Sequence, residues 1–283
     1  MKIDYNGIYF EEKQPIFLAE NRGYNYGDGL FETMRVIQGK IVFWENHYAR
    51  LISGMKLLEM EIPDYFSKPY LQSRILNLIE QNKLTGQPVR VKINVHRDAS
   101  GLYKPDLHKI NYLIRTSVLT DSEYTKTDNA YRIEIFKAHR ISTSVLSNLK
   151  NTNKLINVLG SIYAERIGVD NCLLLNDKGN PVEALNGNLF VVNDNIIKTP
   201  PLSDGCLDGI TRKIIIDIVE KTTYQFEEAS VSITDLRNAD EIWVTNTIVG
   251  IQPVIQFDQR FYENKIAEQF IDLLNHEVQK DGT

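Results

Sequence analysis

The sequence predicts an α+β protein with two domains, and three observations support this prediction. The chain has 283 residues, a length that suits two domains of ordinary size. Segments that alternate between apolar and polar residues, as strands do, occur beside segments whose apolar residues recur every three or four positions, as in helices. A polar segment without apolar periodicity separates two such groups. We therefore predict an N-terminal domain over residues 1–118, a linker over 119–129 and a C-terminal domain over 130–283.

Composition and charge restrict the classes of function. A net charge of -5 argues against a general nucleic-acid-binding protein, which needs a concentrated basic face. No apolar run reaches the length of a membrane span, and the first residues are typical of a strand and not of a signal peptide. Two cysteines cannot form a disulfide framework, and five scattered histidines indicate no metal site. We expect a cytoplasmic protein that binds no nucleic acid, membrane or metal.

The N-terminal domain begins with short strands and turns. Residues 8–10 and 16–18 are apolar and are predicted to be strands. A glycine-rich turn at 27–29 requires positive φ or a close backbone approach, and it precedes a predicted strand over 30–36. A second tight turn then leads into a predicted strand over 40–43.

The rest of the N-terminal domain contains two helices, two strands and one polar loop. Apolar residues at helical spacing predict helices over 44–58 and 68–82, and strict alternation predicts strands over 89–95 and 110–114. The loop that joins these strands contains Arg97 and Tyr103. Because loops on rigid scaffolds often carry binding residues, both are candidates for the substrate side, although a solvated loop is the simpler interpretation.

The same patterns predict the elements of the C-terminal domain. Strands are predicted over 131–136, 172–175, 189–192, 196–197 and 241–245, and helices over 151–166, 211–219 and 266–278. In the first of these helices we expect five apolar residues to point inward: Leu155, Ile156, Leu159, Ile162 and Tyr163.

The chemistry-bearing residues lie between positions 149 and 212. Lys150 supplies an amine, Glu183 follows a turn and supplies a carboxylate, and the Gly-Ile-Thr-Arg run at 209–212 opens a helix. A helix start offers unpaired amides, the Thr211 hydroxyl and a positive dipole end, which together suit a phosphate. An amine for an imine, an acid for a ring nitrogen and amides for a phosphate are what pyridoxal phosphate requires. The sequence therefore predicts pyridoxal 5'-phosphate as the cofactor.

Each of these signals also has a plainer interpretation. Lys150 is compatible with a solvated charge, Glu183 with a turn carboxylate, and a short Gly-Ile-Thr string is weak evidence alone. A second hydroxyl-bearing turn that contains Thr247 follows a predicted strand and could add donors to the same phosphate. The order and spacing of the signals, more than any single one, favour the cofactor.

The chain resembles the fold-type IV, class IV pyridoxal-phosphate enzymes, which include branched-chain aminotransferases, D-amino-acid aminotransferases and aminodeoxychorismate lyases. The resemblance covers nearly the whole chain and follows the order of the family's motifs. The matching segments are 21–23, 27–33, 47–51, 149–150 with Asn153 and Leu155, Glu183 with 188–190, 199–200, 209–212, 239–241 and 245–247.

The resemblance implies roles for particular residues. Lys150 would form the imine with the cofactor and shuttle the proton, and Glu183 would hold the pyridine nitrogen. Arg50 would pair with the phosphate. The residues that would complete the phosphate-binding site are Gly209, Ile210, Thr211 and Thr247. The residues that would lie on the substrate side, together with Arg97, are Tyr26, Phe31, Tyr103 and Asn246.

The resemblance also implies an architecture and an assembly. The N-terminal α/β domain would be the smaller one, and the C-terminal α/β domain would be larger, barrel-like and cofactor-binding. The family works as homodimers, with the cofactor between the domains and a loop of the neighbouring subunit closing the pocket. The implied reaction is ping-pong transfer of an amino group between an amino acid and a 2-oxo acid.

The branch of the family is less well specified. Leu155, five residues after the lysine, resembles the D-amino-acid and lyase branches, whereas branched-chain enzymes usually have tyrosine there. Asn246 resembles the lyases and Thr247 the transaminases, and the loop after residue 95 lacks the Arg-x-His pair typical of the D-amino-acid branch. We expect an aminotransferase, with a 4-amino-4-deoxychorismate lyase that releases pyruvate and 4-aminobenzoate as the alternative. A non-catalytic binding domain of the same fold is a third hypothesis, and substrate identity and stereochemistry stay open.

Overall fold

A computed structural model describes residues 1–126 and 130–281. The chain divides into two compact units: the first contains Met1–Ser122 together with Lys150–Asn153, and the second contains Glu123–Leu149 and Lys154–Asp281. The first unit therefore includes a four-residue segment that follows the first stretch of the second. The domain limits drawn from the sequence stay a prediction, and residues 127–129 of the predicted linker lie outside the described residues.

The first unit is built on one antiparallel sheet of six strands. The strands are β1 (Lys2–Tyr5), β2 (Ile8–Glu11), β3 (Gly29–Ile37), β4 (Lys40–Ile41), β5 (Val89–Arg97) and β6 (Ile110–Val118), and their order in the sheet is β2-β1-β6-β5-β3-β4. Strand β5 is central and pairs with β3 from His96 opposite Gly29 to Val89 opposite Val36. Alternation on β5 buries Val91, Ile93 and Val95 on one face.

Three helices accompany this sheet: α1 (Arg22–Tyr26), α2 (Trp44–Leu57) and α3 (Lys68–Gln81). Helix α3 begins where the Ser67 side chain accepts a hydrogen bond from the Tyr70 amide, which satisfies one of the free amides of the first turn. Its apolar stripe of Leu71, Ile75 and Leu78 is fully buried, and the helix packs on β1 and β6. Helix α2 packs on β3, so the residues of these two elements face each other.

The second unit contains a branched sheet. Its strands are β7 (Arg132–Ile141), β8 (Asn171–Asn176), β9 (Pro181–Ala184), β10 (Gly187–Asn193), β11 (Ile196–Thr199), β12 (Gln225–Glu228), β13 (Glu241–Asn246), β14 (Gly250–Val254), β15 (Gln256–Phe257) and β16 (Arg260–Phe261). Strand β10 pairs with β9, β11 and β13, and one hydrophobic core collects side chains from β7 to β10 and from β13 to β15.

The described residues of the second unit form the α-helices α4 (Leu155–Ile167), α5 (Ile210–Val219), α6 (Ile233–Asn238) and α7 (Lys265–Asp281). Helices α5 and α7 pack on β13 and on each other. Trp243 of β13 and Phe270 of α7 lie at the centre of this packing, with ring centroids 5.2 Å apart. None of the helices in residues 1–126 and 130–281 combines the length and the apolar character that a bilayer crossing requires.

Most predicted elements appear, but two strand predictions are wrong. Residues 16–18 form no strand, because β2 pairs with β1 and the chain then turns at Gln14, whose amide donates to the Glu11 carbonyl. The strand predicted over 40–43 ends at Ile41, since Phe43 adopts positive φ as the residue that precedes α2.

The inward face predicted for α4 is wrong for three of its five residues. Leu155 is 78% exposed, and Leu159 and Ile162 are also exposed. Helix α4 instead packs on β7 and β8 through Ile156 and Tyr163, and its buried residues are the small Gly160 and Ala164. The apolar pattern is wider than the buried stripe, and its spacing did not show which part faces the sheet.

Candidate active site

Lys150 is held against the start of β3. Its backbone carbonyl accepts a hydrogen bond of 2.9 Å from the Phe31 amide, and the Thr152 amide donates to the Gly29 carbonyl at 3.0 Å. The Thr152 hydroxyl also donates to the Gly27 carbonyl at 2.8 Å. Because these bonds hold the backbone at the lysine and just after it, the position of its Cα is determined by β3.

Two ammonium groups lie over the ring of Phe31. The Nζ atoms of Lys150 and Lys92 are each 4.6 Å from the ring centroid. Partial burial lowers the pKa of Lys92, and the charges of Arg115 and Arg90 lower it further. Phe31, predicted on the substrate side, is thus the contact shared by both amines.

No role for Lys92 was predicted from the sequence. The signal was the alternation of β5, which places Lys92 on the face of the sheet opposite the buried valines. Alternation identifies the face but not the partner of the side chain, and the partner here comes from β3.

Arg50 of α2 binds a buried carboxylate. Its Nε and Nη2 atoms donate to the two oxygens of Glu32 at 2.7 and 2.6 Å, and the Nδ1 atom of His47 lies 2.7 Å from the same carboxylate. Burial opposes the ionisation of Glu32, but Arg50 and His47 outweigh it and lower the pKa of Glu32 to about 2. The guanidinium is therefore oriented in a bidentate pair. Its contact with a phosphate stays a prediction.

His47 completes this group, and its burial favours the neutral ring. Burial lowers the pKa of His47, Glu32 opposes this effect, and the charges of Arg50 and Lys150 lower the pKa again. A neutral ring that donates Nδ1–H to Glu32 leaves Nε2 as an acceptor, and this buried atom has no hydrogen-bond partner among residues 1–126 and 130–281. Glu32 and His47 were part of the motifs in the sequence but received no role there.

Glu183 lies on β9, opposite Asn188 of β10. One of its carboxylate oxygens accepts a hydrogen bond of 2.8 Å from the Leu207 amide, which fixes the side chain. Burial lowers the pKa of Lys154, and the negative charge of Glu183 opposes that effect. Lys154 is a neighbour of this carboxylate that the sequence analysis missed.

The start of α5 requires glycine. Gly209 is the residue before the helix, and it provides no side-chain cap to the first turn. A Cβ atom at this position would lie 1.9 Å from Oδ1 of Asn188, so any other residue would displace that side chain. Asn188 is itself fixed by a hydrogen bond of 2.8 Å from its Nδ2 atom to the Leu207 carbonyl.

Two buried hydroxyls of the second unit have no hydrogen-bond partner among residues 1–126 and 130–281. The Oγ1 atoms of Thr211, in the first turn of α5, and of Thr245, at the end of β13, are inaccessible to solvent and make no hydrogen bond in the described part of the chain. Burying a polar group in this way costs free energy. The first amides of α5, beginning at Ile210, have no acceptor within the helix and carry its positive dipole end. A phosphate would satisfy these groups.

The turn after β13 contains the other predicted residues. Oδ1 of Asn246 accepts hydrogen bonds from the amides of Ile248 and Val249 at 2.9 and 3.0 Å. The carbonyl of Thr247 accepts one from the Tyr124 hydroxyl at 2.9 Å. Asn246 thus shapes the turn that presents Thr247, a structural role beyond the substrate contact predicted for it.

Tyr26 and Tyr103 come together at the surface of the first unit. Their ring centroids are 5.7 Å apart, and Tyr103 is 88% exposed. The two residues belong to separate segments, α1 and the loop after β5, and the sequence did not indicate that they meet.

The substrate-docking role predicted for Arg97 is not supported by its geometry. Strand β5 extends to Arg97, whose side chain is buried. The guanidinium donates to the Asp28 carboxylate at 3.0 Å and to the carbonyls of Leu58 and Glu59 at 2.6 and 3.2 Å. Because its donors are used inside the unit, Arg97 is a structural arginine in this structure.

A metal centre is not indicated by side-chain geometry. Within residues 1–126 and 130–281, no cluster of three or more His, Cys, Asp or Glu side chains is arranged to hold an ion.

Curated relatives include transaminases and a lyase. A putative branched-chain-amino-acid aminotransferase of Methanocaldococcus jannaschii is 30% identical, over 94% of this chain and 91% of the relative. A D-alanine aminotransferase of Listeria monocytogenes is 26% identical, over 91% and 88%. An aminodeoxychorismate lyase of Vibrio harveyi is 23% identical, over 83% and 84%.

Solved structures have the same fold. A branched-chain aminotransferase of Thermoproteus uzoniensis, with norvaline, has a TM-score of 0.87 at 23% identity, covering 99% of this chain and 95% of its own. A hypothetical aminotransferase of Mycobacterium tuberculosis, in its PLP-bound form, has a TM-score of 0.83 at 18% identity over 99% of this chain and 100% of its own. The fold-type IV architecture expected from the sequence is confirmed by these structures.

The family model described as amino-transferase class IV matches residues 29–257, which include Lys150, Glu183 and the start of α5. This family depends on pyridoxal phosphate. The chain belongs to the class IV aminotransferase family.

Proposed function

We propose that this protein is a pyridoxal-phosphate-dependent aminotransferase that moves an amino group between an amino acid and a 2-oxo acid. The observation that carries the proposal is Lys150, whose backbone is bonded to β3 in a chain of the class IV family. A lysine with a fixed backbone presents its amine in one place, as covalent catalysis requires.

The described residues fit the cofactor. The Lys150 amine would hold its aldehyde carbon, and Glu183, fixed by the Leu207 amide, would hold its ring nitrogen. The phosphate would satisfy the Thr211 hydroxyl and the first amides of α5, which have no acceptor within the helix. We also assign Gly209, Ile210 and Thr247 to the phosphate group. Arg50 remains our candidate for a charge partner of the phosphate, with its fork oriented by Glu32.

The chain's own residues would manage charge and protons in the reaction. When bound, the cofactor supplies an electron sink for the substrate Cα. The Nζ atom of Lys150 would take the proton from that Cα and deliver it across the imine nitrogen to the cofactor carbon that carried the aldehyde. Glu183 would keep the ring nitrogen protonated, since a carboxylate favours a nearby positive charge. Phe31 would pack below the amine and limit its motion.

Lys92 is our candidate for binding the substrate carboxylate in place of Arg97. Its ammonium lies over the same ring as that of Lys150, whereas the donors of Arg97 are used by Asp28 and by backbone carbonyls. A cation at that ring places positive charge beside the amine that performs the chemistry. Tyr26, Tyr103 and Asn246 remain candidates for contacts with the rest of the substrate.

A 4-amino-4-deoxychorismate lyase is the second candidate function. Asn246 favours it, since it resembles the lyase branch, and an aminodeoxychorismate lyase is among the relatives. Release of pyruvate from aminodeoxychorismate without a 2-oxo acid acceptor would establish the lyase and overturn the aminotransferase.

We also propose that the protein forms homodimers in the cytoplasm. The exposed apolar side chains of Leu155, Leu159 and Ile162 on α4 support an assembly that would remove them from water. Both cysteines are free and buried thiols, as suits a reducing compartment. Sedimentation of the wild type and of Leu155→Glu tests the dimer: the variant should shift toward monomer, and a monomeric wild type would contradict the proposal.

The proposed activity is tested by adding L- and D-amino acids to the cofactor-loaded protein and recording its visible absorbance. A substrate amino acid should convert the yellow form to the pyridoxamine form, and a 2-oxo acid should restore it. Lys150→Ala should abolish both changes, whereas Lys137→Ala, at an exposed position of β7, should leave them intact. Absence of any conversion by every amino acid would refute the aminotransferase proposal.

A further inference from the structure

Arg22 of α1 holds three consecutive carbonyls of one loop. Its buried guanidinium donates from Nη1 to the carbonyls of Gly101 and Leu102 at 3.1 and 2.6 Å, and from Nη2 to that of Tyr103 at 3.2 Å. Its Nε atom donates to Asp28 at 2.9 Å. All three nitrogens of the rigid guanidinium group therefore donate hydrogen bonds, and Nη1 and Nη2 fix the loop backbone at residues 101–103.

Asp28 connects this arginine to a second one. The same Oδ2 atom accepts hydrogen bonds from Nε of Arg22 and from Nε of Arg97. Arg97 in turn donates to the Leu58 carbonyl after α2, and its amide donates to the Asp28 carbonyl at 3.1 Å. The loop over 98–106, the segment before β3 and the end of α2 are thus joined through one aspartate.

The segment that contains Asp28 also supports Lys150. The carbonyls of Gly27 and Gly29, on either side of Asp28, accept hydrogen bonds from the Thr152 hydroxyl and amide. One short segment therefore holds the loop on one side and the backbone of the lysine region on the other. Loss of the bonds from Arg22 would displace the loop, while the bonds from Thr152 to Gly27 and Gly29 would stay in place.

We call the hydrogen bonds from Arg22 to the carbonyls of residues 101–103 the clamp. The side chains on the loop that it fixes are aromatic and apolar. Tyr103 and Leu102 are 88% and 78% exposed, although the backbone beneath them is fixed. The ring of Tyr26 lies with its centroid 5.7 Å from that of Tyr103 and 4.8 Å from the central carbon of the Arg22 fork. Large apolar groups that are held in place yet exposed are suited to contact an apolar or aromatic ligand group.

We propose that Arg22 is a positioning residue that determines substrate specificity: by fixing Gly101, Leu102 and Tyr103 through their carbonyls, it places Tyr103 and Tyr26 to receive the apolar or aromatic side chain of the amino donor. This inference rests on the proposed aminotransferase function, because it assigns these tyrosines to the substrate side. Arg22 acts on binding and not on the proton transfer, which belongs to Lys150.

The first unit contains a matched control for Arg22. Arg74 donates from Nε to Asp4 at 2.6 Å and from Nη2 to the Gly7 carbonyl at 2.8 Å. Its fork also lies 4.8 Å over a tyrosine ring, that of Tyr9. Arg74→Lys therefore removes the same kinds of contact in a place remote from the 98–106 loop in sequence, and it measures the general effect of losing an arginine fork.

Limited chymotrypsin digestion of the full-length protein tests the clamp without any substrate. Arg22→Lys keeps the positive charge, but a single amine cannot replace all the hydrogen bonds of the guanidinium. The loop should therefore detach from α1 more often. We expect cleavage after Leu102 and Tyr103 to become about tenfold faster than in the wild type, with Arg74→Lys unchanged. Equal cleavage rates at these sites in Arg22→Lys and Arg74→Lys would overturn the clamp.

Steady-state kinetics on the cofactor-loaded enzyme then test specificity. Arg22→Lys should raise KM for an apolar or aromatic amino donor by about tenfold while kcat stays within about twofold. In a background that combines Tyr26→Ala and Tyr103→Ala, the same substitution should change KM by less than about twofold, because both side chains through which Arg22 acts are gone. An equal KM effect in both backgrounds, or a fall in kcat alone, would overturn the proposal. If no amino acid reacts with the wild type, the proposed function fails, and the digestion still decides whether the clamp exists.

Discussion

One group of buried polar side chains in each unit can be compared, and the two groups differ in how their polar atoms are satisfied. In the first unit, charged side chains are already paired: Glu32 binds Arg50 and His47, and Asp28 binds two arginines. In the second unit, the hydroxyls of Thr211 and Thr245 are buried without partners among the described residues. The first group stabilises the folded chain by itself, whereas we propose that the second group is satisfied by the phosphate of the cofactor.

The comparison indicates how the free energy of folding and the free energy of cofactor binding are divided. Substitutions in the paired group should lower the stability of the cofactor-free protein. Substitutions at the positions that we propose for the phosphate should leave that stability intact and weaken the affinity for the cofactor. Three variants test this distinction, and they are described from the largest expected effect to the weakest.

The largest effect is expected from Glu32→Gln. It removes a buried carboxylate and leaves the fork of Arg50 without this charge partner, so the unfolding free energy of the cofactor-free protein should fall by on the order of 3 kcal/mol at neutral pH. Urea denaturation measures this loss. Glu45→Gln, in an exposed pair with Lys68, should cost less than about 1 kcal/mol.

The same variant tests a prediction about how stability depends on pH. The pKa of Glu32 is about 2 in the folded state, below its ordinary value of 4.5. A depressed pKa means that the ionised group stabilises the fold above about pH 4.5 and loses this contribution as the pH falls toward about 2. The stabilities of the wild type and Glu32→Gln should therefore converge in acid. Parallel curves down to low pH would show that the ion pair does not stabilise the chain.

An intermediate effect is expected from Gly209→Ala. The new methyl group would meet Oδ1 of Asn188 and distort the start of α5, so the affinity for pyridoxal phosphate should fall about 100-fold. Adding Asn188→Ala removes the obstacle and should recover part of the affinity. A fluorescence titration with the cofactor measures both. Unchanged affinity in Gly209→Ala would show that the start of α5 does not bind the phosphate.

The smallest effect is expected from Thr211→Val. Because its hydroxyl has no partner in the described part of the chain, its removal should leave the stability of the cofactor-free protein unchanged or slightly higher, while cofactor affinity falls about tenfold. Thr199→Val is the contrasting variant, since the buried Thr199 hydroxyl donates to the Leu189 carbonyl at 2.7 Å. It should cost about 1 kcal/mol of stability and leave the affinity unchanged. Loss of stability in Thr211→Val, or loss of affinity in Thr199→Val, would contradict the distinction between the two groups.

Local patterns predicted most of the elements. Periodicity located α2, α3, α5 and α7, and alternation located β5 and β6, because each has one buried face and one polar face. Helix α4 shows the limit: its apolar residues have helical spacing, yet Leu155 faces outward because Ile156 and Tyr163 meet the sheet. Spacing shows that a helix is amphipathic, and packing decides which residues it buries.

The site was predictable in composition more than in geometry. The positions of Lys150, Glu183 and Gly209 followed from motif order, but the attachment of Lys150 to Phe31 joins residues that are far apart in the sequence. Arg97 illustrates a different difficulty, because a strand end resembles a polar loop until its pairing with Ile110 is known. Contacts between distant segments leave no local periodicity, and for this reason the partners of Lys92 and Arg22 were missed.

The most direct test of the central claim is borohydride reduction of the cofactor-loaded protein, followed by mass spectrometry of its peptides. Reduction fixes the cofactor to the amine that holds it. We predict a phosphopyridoxyl group on Lys150 and none on Lys92 or Lys154, two lysines close to the candidate site residues. A label on another lysine, or a protein that takes up no cofactor, would contradict the account.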